Sequence, residues 1–209
     1  IRGYAESMLD LAANPDFAEA FLDRLTDIAI RAWGHFLAEV GEYLDVVAMF
    51  DDIGMQDRPL ISPAMYRRLV KPRHARIIAA IKTHTKAKVF FHTDGAVLDL
   101  IPDLIEIGVD ILNPVQVSAK GMDDTAELKR RFGRELTFWG GACDSQRVLP
   151  FGRLEETRAE TRRRIADLAP GGGYVFAPIH NLQDDVSGVK VLVLYHTALE
   201  YGRYPIEVS

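Results

Sequence analysis

The stretch AKVFFHTDGAVLDLIPDLIEIGVDILNPVQ, residues 87–116, contains two short apolar runs with a segment of helical spacing between them. The runs AKVFFH (87–92) and VDILNPV (109–115) are rich in β-branched and aromatic residues, which is typical of strands buried on both faces. The intervening segment, 97–107, ends before Gly108, a residue type that often terminates helices. The stretch therefore predicts a strand, a helix and a second strand parallel to the first.

The same alternation continues on both sides of this stretch. Three further apolar runs predict buried strands, at 44–50, 135–141 and 173–178. Helices are predicted from Asn14 to about Glu42 and near 62–83, 122–132, 153–169 and 186–201. One helix followed by five strand–helix units indicates an α/β fold with a parallel sheet and right-handed crossovers.

Two architectures fit this pattern, a doubly wound open sheet and part of a (β/α)8 barrel. A nucleotide-binding doubly wound sheet is disfavoured because no G-x-G-x-x-G follows a predicted strand, and a P-loop is also absent from the sequence. A closed barrel of this kind has eight strands and typically ~250 residues. We therefore expect residues 1–209, which begin with Ile1, to form the C-terminal part of a single barrel domain, with about three strand–helix units upstream.

The composition excludes several classes of protein. With 25 Lys+Arg against 30 Asp+Glu the net charge is -5, which argues against a nucleic-acid partner. The sequence has no apolar run of the ~18–20 residues that a membrane span needs, and its first residues lack the apolar core of a signal peptide. The single cysteine excludes a disulfide framework and a Cys-rich zinc module. We expect a cytoplasmic protein that acts on a small molecule, with no nucleic-acid or membrane partner.

Polar residues follow each predicted strand. They are Asp51-Asp52, His92 to Gly95, Asn113 and Gln116, Cys143 to Gln146, and His180 to Gln183. In parallel α/β folds these strand ends meet at one rim, where the following loops build the active site. Helix capping by Asp, Ser or Thr is the simpler explanation for any one residue, but His and Gln are not favoured caps. We therefore predict substrate contacts from Asn113, Gln116, Asp144, Gln146 and Gln183.

The pair His92-x-Asp94 is the sharpest of these signals. Residues i and i+2 of an extended chain point to the same face, so both side chains can reach one metal ion. His180, from another strand end, completes a set of two imidazoles and one carboxylate that suits zinc, iron or a similar ion. The alternative is that His92 and His180 bind substrate or act as acid and base without a metal.

Other candidates carry weaker signals. Neighbouring residues on a strand face opposite ways, so only one of Asp51 and Asp52 is expected to face the site, and Asp52 is favoured as a catalytic group. Cys143 is either a nucleophile or soft ligand, or an ordinary packing residue.

The remaining histidines and the basic runs carry no functional signal. His35, His74 and His84 are predicted at the surface or at helix ends, and His196 against the barrel. The arginine runs at 67–68, 130–131 and 162–164 are predicted on solvated helix faces.

Four ordered blocks resemble the uroporphyrinogen decarboxylase superfamily, which also contains cobalamin-dependent methyltransferases. They are residues 49–77 with S-P-x-x-Y, residues 90–116 with H-T-D-G and I-x-x-G-V-D, residues 136–152 with G-G-x-x-D-x-Q, and residues 171–192 with H-N-L-Q. The resemblance extends from about Asp45 to Pro205 and implies a (β/α)8 barrel with its site at the carboxyl rim. It also makes a homodimer plausible.

The two branches of this superfamily imply different chemistry. The methyltransferases bind zinc through an H-x-C pair and a later Cys, and take the methyl group from a corrinoid carried by a partner protein. The corresponding positions here are His92, Asp94 and His180, which implies a harder nitrogen–oxygen metal site or no metal. The decarboxylases need no cofactor, and the arginine-rich N-terminal segment that holds their substrate is not visible in this sequence.

Three functions follow as expectations. In the methyltransferase reading, which the H-T-D-G block favours, His92, Asp94 and His180 bind a metal or polarise the acceptor. Asp52, Gln116, Asp144 and Gln183 then position the acceptor. In the decarboxylase reading, Asp52 stabilises a protonated pyrrole and His180 contacts a substrate carboxylate. The third reading is a non-catalytic binding barrel.

Overall fold

The computed structural model describes residues 2–206, in which two helices precede five alternating strands and helical segments. The strands are β1 (Val46–Phe50), β2 (Lys88–His92), β3 (Ile111–Asn113), β4 (Thr137–Trp139) and β5 (Tyr174–Val175). The helices are α1 (Tyr4–Ala13), α2 (Pro15–Val40), α3 (Pro63–Met65), α4 (Lys71–His84), α5 (Ile101–Glu106), α6 (Thr125–Phe132), α7 (Val148–Phe151), α8 (Leu154–Leu168) and α9 (Gly188–Tyr201). A π-helical turn, Tyr66–Val70, joins α3 to α4, and 3-10 turns occur at Gly41–Tyr43 and Leu98–Leu100. Among these helices, none is both long and apolar enough to cross a membrane.

The strand order decides between the two architectures predicted from the sequence. All five strands are parallel and lie side by side in chain order, β1-β2-β3-β4-β5. A doubly wound sheet reverses its order at a switch point, whereas consecutive strands of a (β/α)8 barrel are neighbours. The predicted α/β class is therefore confirmed, and the arrangement is that of five consecutive barrel strands.

The two faces of the sheet have different surroundings. On one face Val47, Val89, Phe91 and Phe138 are buried in the core, which also contains helix residues such as Leu104. Burial of this apolar surface is the main favourable contribution to folding.

The opposite face carries an aromatic row at the carboxyl end of the sheet. The ring centroid of Phe90 lies 6.5 Å from that of Phe50 and 5.3 Å from that of Trp139. Phe50 remains 71% exposed in residues 2–206. This face, rather than the helix-covered one, borders the candidate site.

Several predicted boundaries are wrong. Helix α1 was not predicted, and the strand expected at 173–178 is only Tyr174–Val175. The run at 135–141 ends as a strand at Trp139 because Gly140 and Gly141 have φ values of 119° and 66°, which lie outside the extended region. Apolar runs thus continue into loops that leave the sheet at the rim.

Three side chains lie elsewhere than predicted. His74 is only 5% exposed, because α4 directs it toward β2, where its ring lies 5.2 Å from that of Phe91. Arg164 is buried and donates to the Glu160 carboxylate, so it does not belong to a solvated face. His196 is exposed instead of packed. The predictions for His35 and His84, both exposed, are correct.

A buried carboxylate ties α5 to the turn before α4. The Asp103 carboxylate accepts hydrogen bonds from Arg67 Nε at 3.0 Å and from Lys71 Nζ at 2.8 Å. Burial raises the pKa of the Asp103 carboxyl, but hydrogen bonds and charge from Arg67 and Lys71 outweigh burial, so this pKa lies below its usual value. Arg67 therefore pairs across to a neighbouring helix rather than along its own.

We expect Asp103→Asn to lower the free energy of unfolding by about 2 kcal/mol at pH 7. A carboxyl whose pKa is lowered in the folded state stabilises the protein above its unfolded pKa of about 4, and this contribution is lost as the pH falls through the folded value. The difference between wild type and variant should therefore shrink between pH 7 and pH 3, as measured by urea denaturation. Asp99→Asn, an exposed neighbour, is the control. A difference that does not change with pH would contradict this account.

Candidate functional site

The register of the sheet aligns the last residues of three strands. Phe50 is paired with His92, and His92 with Asn113. Side chains of residues paired in this way lie on the same face of a parallel sheet. His92 Nδ1 therefore lies 2.6 Å from Asn113 Oδ1.

A second hydrogen bond fixes which ring nitrogen of His92 is free. Asn113 Nδ2 donates to the Trp139 carbonyl at 2.8 Å, which leaves Asn113 Oδ1 to accept from His92. His92 Nδ1 must then carry the proton, and the neutral ring presents the lone pair of Nε2. Nε2 lies 3.7 Å from Asp94 Oδ2. This is the arrangement by which a partner orients a metal-binding imidazole.

The third member of the cluster comes from the loop after β5. His180 Nε2 lies 3.9 Å from Asp94 Oδ2, and its ring lies 6.1 Å from that of His92. One donor atom from each of the three residues lies within 4.8 Å of the others, and no second group of three such residues meets this criterion in residues 2–206. Ligands of a tetrahedral zinc ion are about 3.4 Å apart, given bonds of ~2.0–2.1 Å. The donor set, two imidazole nitrogens and a carboxylate oxygen, fits such an ion after a small contraction.

The surroundings of Asp94 disfavour its charged form. Burial raises the pKa of the Asp94 carboxyl, the Asp52 carboxylate adds to this effect, and His92 and His180 offset only part of it. The net pKa lies above the usual value mainly because burial penalises the carboxylate. A divalent cation beside Asp94 would stabilise that charge.

A hollow of about 440 Å³ lies in front of the cluster. Its lining consists of Phe50, His92, Asn113 and residues 178–181. Volumes of this size are usual for small-molecule sites. The lining groups are aromatic, imidazole, amide and aliphatic, so the hollow offers donor atoms next to an apolar wall.

Two glycines allow the β1 and β2 loops to approach each other. A Cβ added to Gly95 would lie 2.6 Å from the Gly54 carbonyl carbon, and Gly95 has a φ of +92°. Asp94 N donates to Asp52 Oδ1 at 2.9 Å across the same contact. The close approach thus places Asp52 beside Asp94, and the catalytic role of Asp52 stays a prediction.

Three glutamine side chains, Gln56, Gln116 and Gln146, form hydrogen bonds that hold these loops. Gln116 Oε1 accepts from Gly95 N at 2.8 Å, and Gln116 Nε2 donates to Gln56 Oε1 at 3.1 Å. Gln146 Nε2 donates to the same oxygen of Gln56 at 3.2 Å. Gln116 and Gln146 therefore bond to loop groups rather than to the His92 cluster. Gln56 was missed because an isolated Gln in a loop gives no sequence signal.

Two other predicted residues also lie outside the cluster. The Asp144 carboxylate accepts from the amides of Gln146 and Arg147 and from Arg147 Nε, so it caps its own loop. Gln183 is exposed and donates to the Asn181 carbonyl. Substrate contacts by Asn113, Gln116, Asp144, Gln146 and Gln183 stay predictions.

Cys143 does not have the properties of a nucleophile. It is buried, its Sγ lies 3.4 Å from Glu160 Oε2, and burial raises the pKa of its thiol well above the ordinary value. A reactive thiol needs the reverse, an accessible site and a lowered pKa. Of the two predicted roles, Cys143 therefore has that of an ordinary packing residue in the core.

His74 forms a connection to the rim that the sequence did not predict. His74 Nε2 lies 2.9 Å from Asp51 Oδ2, and Nδ1 lies 3.3 Å from the hydroxyl of buried Tyr66. Tyr66 and His74 are eight residues apart, a spacing that belongs to one helix face and could have indicated their association. Asp51 therefore turns toward α4 while Asp52 turns toward Asp94.

Comparison with known proteins shows the family to which the chain belongs. The family model described as uroporphyrinogen decarboxylase (URO-D) matches residues 1–201. The chain belongs to the URO-D family. Two curated relatives of this chain, both named uroporphyrinogen decarboxylase, come from Neisseria meningitidis serogroup C. They are 26% and 25% identical over 199 residues, which is 91% of this chain. The chain spans about half the length of these relatives, 50% in each case.

A solved structure shares the fold. It is a methyltransferase from Methanosarcina mazei, 20% identical, with a TM-score of 0.72 over 95% of this chain and 54% of its own length. At this identity the likeness shows the fold alone. It agrees with the strand order described above.

We expect Gly95→Ala to destabilise the protein by about 3 kcal/mol, because a positive φ and contact with the Gly54 backbone both oppose a Cβ. Gly171→Ala is the matched control, since Gly171 also has a positive φ, +76°, but nothing lies within 4 Å of its added Cβ. That variant should lose only about 1 kcal/mol. Equal losses in urea denaturation would show that the loop contact is unimportant.

Proposed function

We propose that this chain carries a methyl-transfer site. In it a divalent metal, zinc in the first instance, binds His92, Asp94 and His180. The methyl group comes from a corrinoid on a partner protein and goes to a small acceptor bound in the adjacent hollow. The observation that carries the proposal is the meeting of three donor groups with His92 Nε2 already free to bind.

The donor types support a metal of intermediate hardness. Two imidazoles and one carboxylate suit zinc or a similar ion, and the single cysteine of the chain is buried away from them. When bound, such an ion lowers the pKa of a coordinated thiol or hydroxyl group and so favours the anionic acceptor.

The surrounding residues have separate tasks. Asn113 holds the His92 ring in one tautomer, and Asp52 holds the main chain of Asp94 through its amide. Phe50, whose ring lies 5.3 Å from that of His92, forms an apolar wall on one side of the hollow. His180, whose side chain is 48% exposed, is the member of the set that an entering acceptor meets from the solvent side.

The second candidate is decarboxylation of a porphyrinogen-like polycarboxylate without a metal. The curated relatives, both named uroporphyrinogen decarboxylase, favour it. In this reading Asp52 stabilises a protonated pyrrole, and His180 contacts a carboxylate of the substrate. Among residues 2–206, the lining of the hollow includes no lysine or arginine, which gives less support to a polycarboxylate than to a small acceptor.

We expect the purified protein to bind about one equivalent of zinc, with His92→Ala weakening the affinity at least ~100-fold because one direct ligand is lost. Asn113→Leu should weaken it by about 10–100-fold, the usual effect of removing a partner that orients a ligand. Affinity should fall as the pH is lowered, because protons compete with the metal for its ligands. Calorimetric titration with zinc measures all three effects.

His196→Ala, which removes an exposed histidine outside the cluster, is the control and should bind zinc like wild type. Equal zinc binding by wild type and His92→Ala would contradict the metal site.

The reaction itself is tested with methylcobalamin and a panel of small thiols. Methyl transfer that depends on His92 and His180 supports the first candidate. Loss of carboxylate groups from uroporphyrinogen, with no methyl transfer, would replace it by the second. Activity that does not change in His92→Ala and His180→Ala would leave only a binding barrel.

A further inference from the structure

A second cavity, distinct from the hollow in front of His92, lies between α1, α2 and the loop after β1. Its volume is about 210 Å³. Its walls are mostly apolar, with Met8, Leu11 and Phe21 from the helices and Ile53, Leu60 and Ile61 from the loop. A pocket with these walls favours an apolar body, because burying it releases ordered water.

Two carboxylates stand at this cavity. Asp51 and Asp52 both belong to its lining, and both are exposed. Arg2 also lines the cavity, but it donates two hydrogen bonds to Asp10, at 2.7 and 3.0 Å, so the two charges cancel locally. Within residues 2–206, neither Asp51 nor Asp52 forms an ion pair with a lysine or arginine. The cavity therefore has net negative charge at Asp51 and Asp52, and the rest of its wall is mostly apolar.

His74 gives one of these carboxylates a fixed orientation. It is buried, is held by Tyr66, and lies 2.9 Å from Asp51 Oδ2, which leaves Asp51 Oδ1 for another partner. Asp52 uses Oδ1 for the amide of Asp94 and likewise keeps Oδ2. Each carboxylate thus retains an oxygen that can accept a hydrogen bond from a ligand.

We propose that this cavity binds a small organic cation, with its ammonium group at the acidic end of the lining, where Asp51 and Asp52 lie, and its apolar body among the side chains of α1 and α2. A space of 210 Å³ holds about seven groups of the size of water, at ~30 Å³ each. The ligand class is therefore a protonated amine with roughly seven to nine non-hydrogen atoms. Charge complementarity selects a cation over an anion or a neutral molecule of the same shape.

The position of Asp52 connects this cavity to the candidate metal site. Asp52 lines the cavity and accepts from Asp94 N at 2.9 Å, so an ammonium bound at Asp52 lies beside the His92 cluster. The binding of the cation does not depend on the proposed methyl transfer.

The test uses three probes of one shape, 2-phenylethylammonium, 2-phenylethanol and 3-phenylpropanoate, titrated into the whole chain and followed by calorimetry with a chelator present. The cation should bind at least ~10-fold more tightly than either of the others, since one ammonium–carboxylate contact contributes about 1.4 kcal/mol or more. Asp52→Asn should lower that preference by reducing the charge. Ala18→Leu should abolish binding of the cation, because buried Ala18 lines the cavity and a larger side chain fills it.

Asp57→Asn is the control, since Asp57 is exposed, pairs with Arg58 and lies outside the cavity lining. Equal affinity for the three probes, or wild-type binding of the cation by both Asp52→Asn and Ala18→Leu, would overturn the proposal. Circular dichroism of each variant verifies that it is folded. Because a chelator is present, a failure here and a failure of zinc binding are separate results.

Discussion

The hydrogen bond between His92 and Asn113 is the constraint on which the candidate site depends. It exists because β2 and β3 are parallel and in register, so the last residues of the two strands lie side by side on one face. A shift of one residue in that register would turn Asn113 to the opposite face of the sheet. The Trp139 carbonyl then fixes the amide, so three consecutive strands together determine the tautomer of one imidazole.

The loops that follow β1 and β2 position the remaining groups of the candidate site. Gly54 and Gly95 let the β1 and β2 loops approach, which brings Asp52 to the main chain of Asp94. From the other side, Gln116 holds the amide of Gly95. Asp94 is thereby held near His92 and His180 at a position where burial disfavours its charge. A cation at this site would stabilise the charged form of Asp94. The Asp51 carboxylate, which lines the neighbouring cavity, extends the negative charge toward α1.

The parts of the structure that follow from local sequence patterns could be predicted from the sequence alone. Buried runs with helices between them predicted the parallel sheet, and polar residues after each run predicted the meeting of His92, Asp94 and His180. Contacts between distant segments were not predictable in this way. Asp51 and His74 are 23 residues apart, and Gln56 and Gln116 are 60 apart, with no periodicity that connects them. Strand ends were overestimated because apolar residues continue past Trp139, where glycines leave the extended conformation.

The central claim is that His92, Asp94 and His180 hold one metal ion. Crystals of the protein grown with zinc, measured on both sides of the zinc absorption edge, test it most directly. The account predicts an anomalous peak about 2.0–2.1 Å from His92 Nε2 and from His180 Nε2, with an Asp94 oxygen as the third protein ligand. No peak between these residues, or a peak bound elsewhere with His92 pointing away from Asp94, would contradict it.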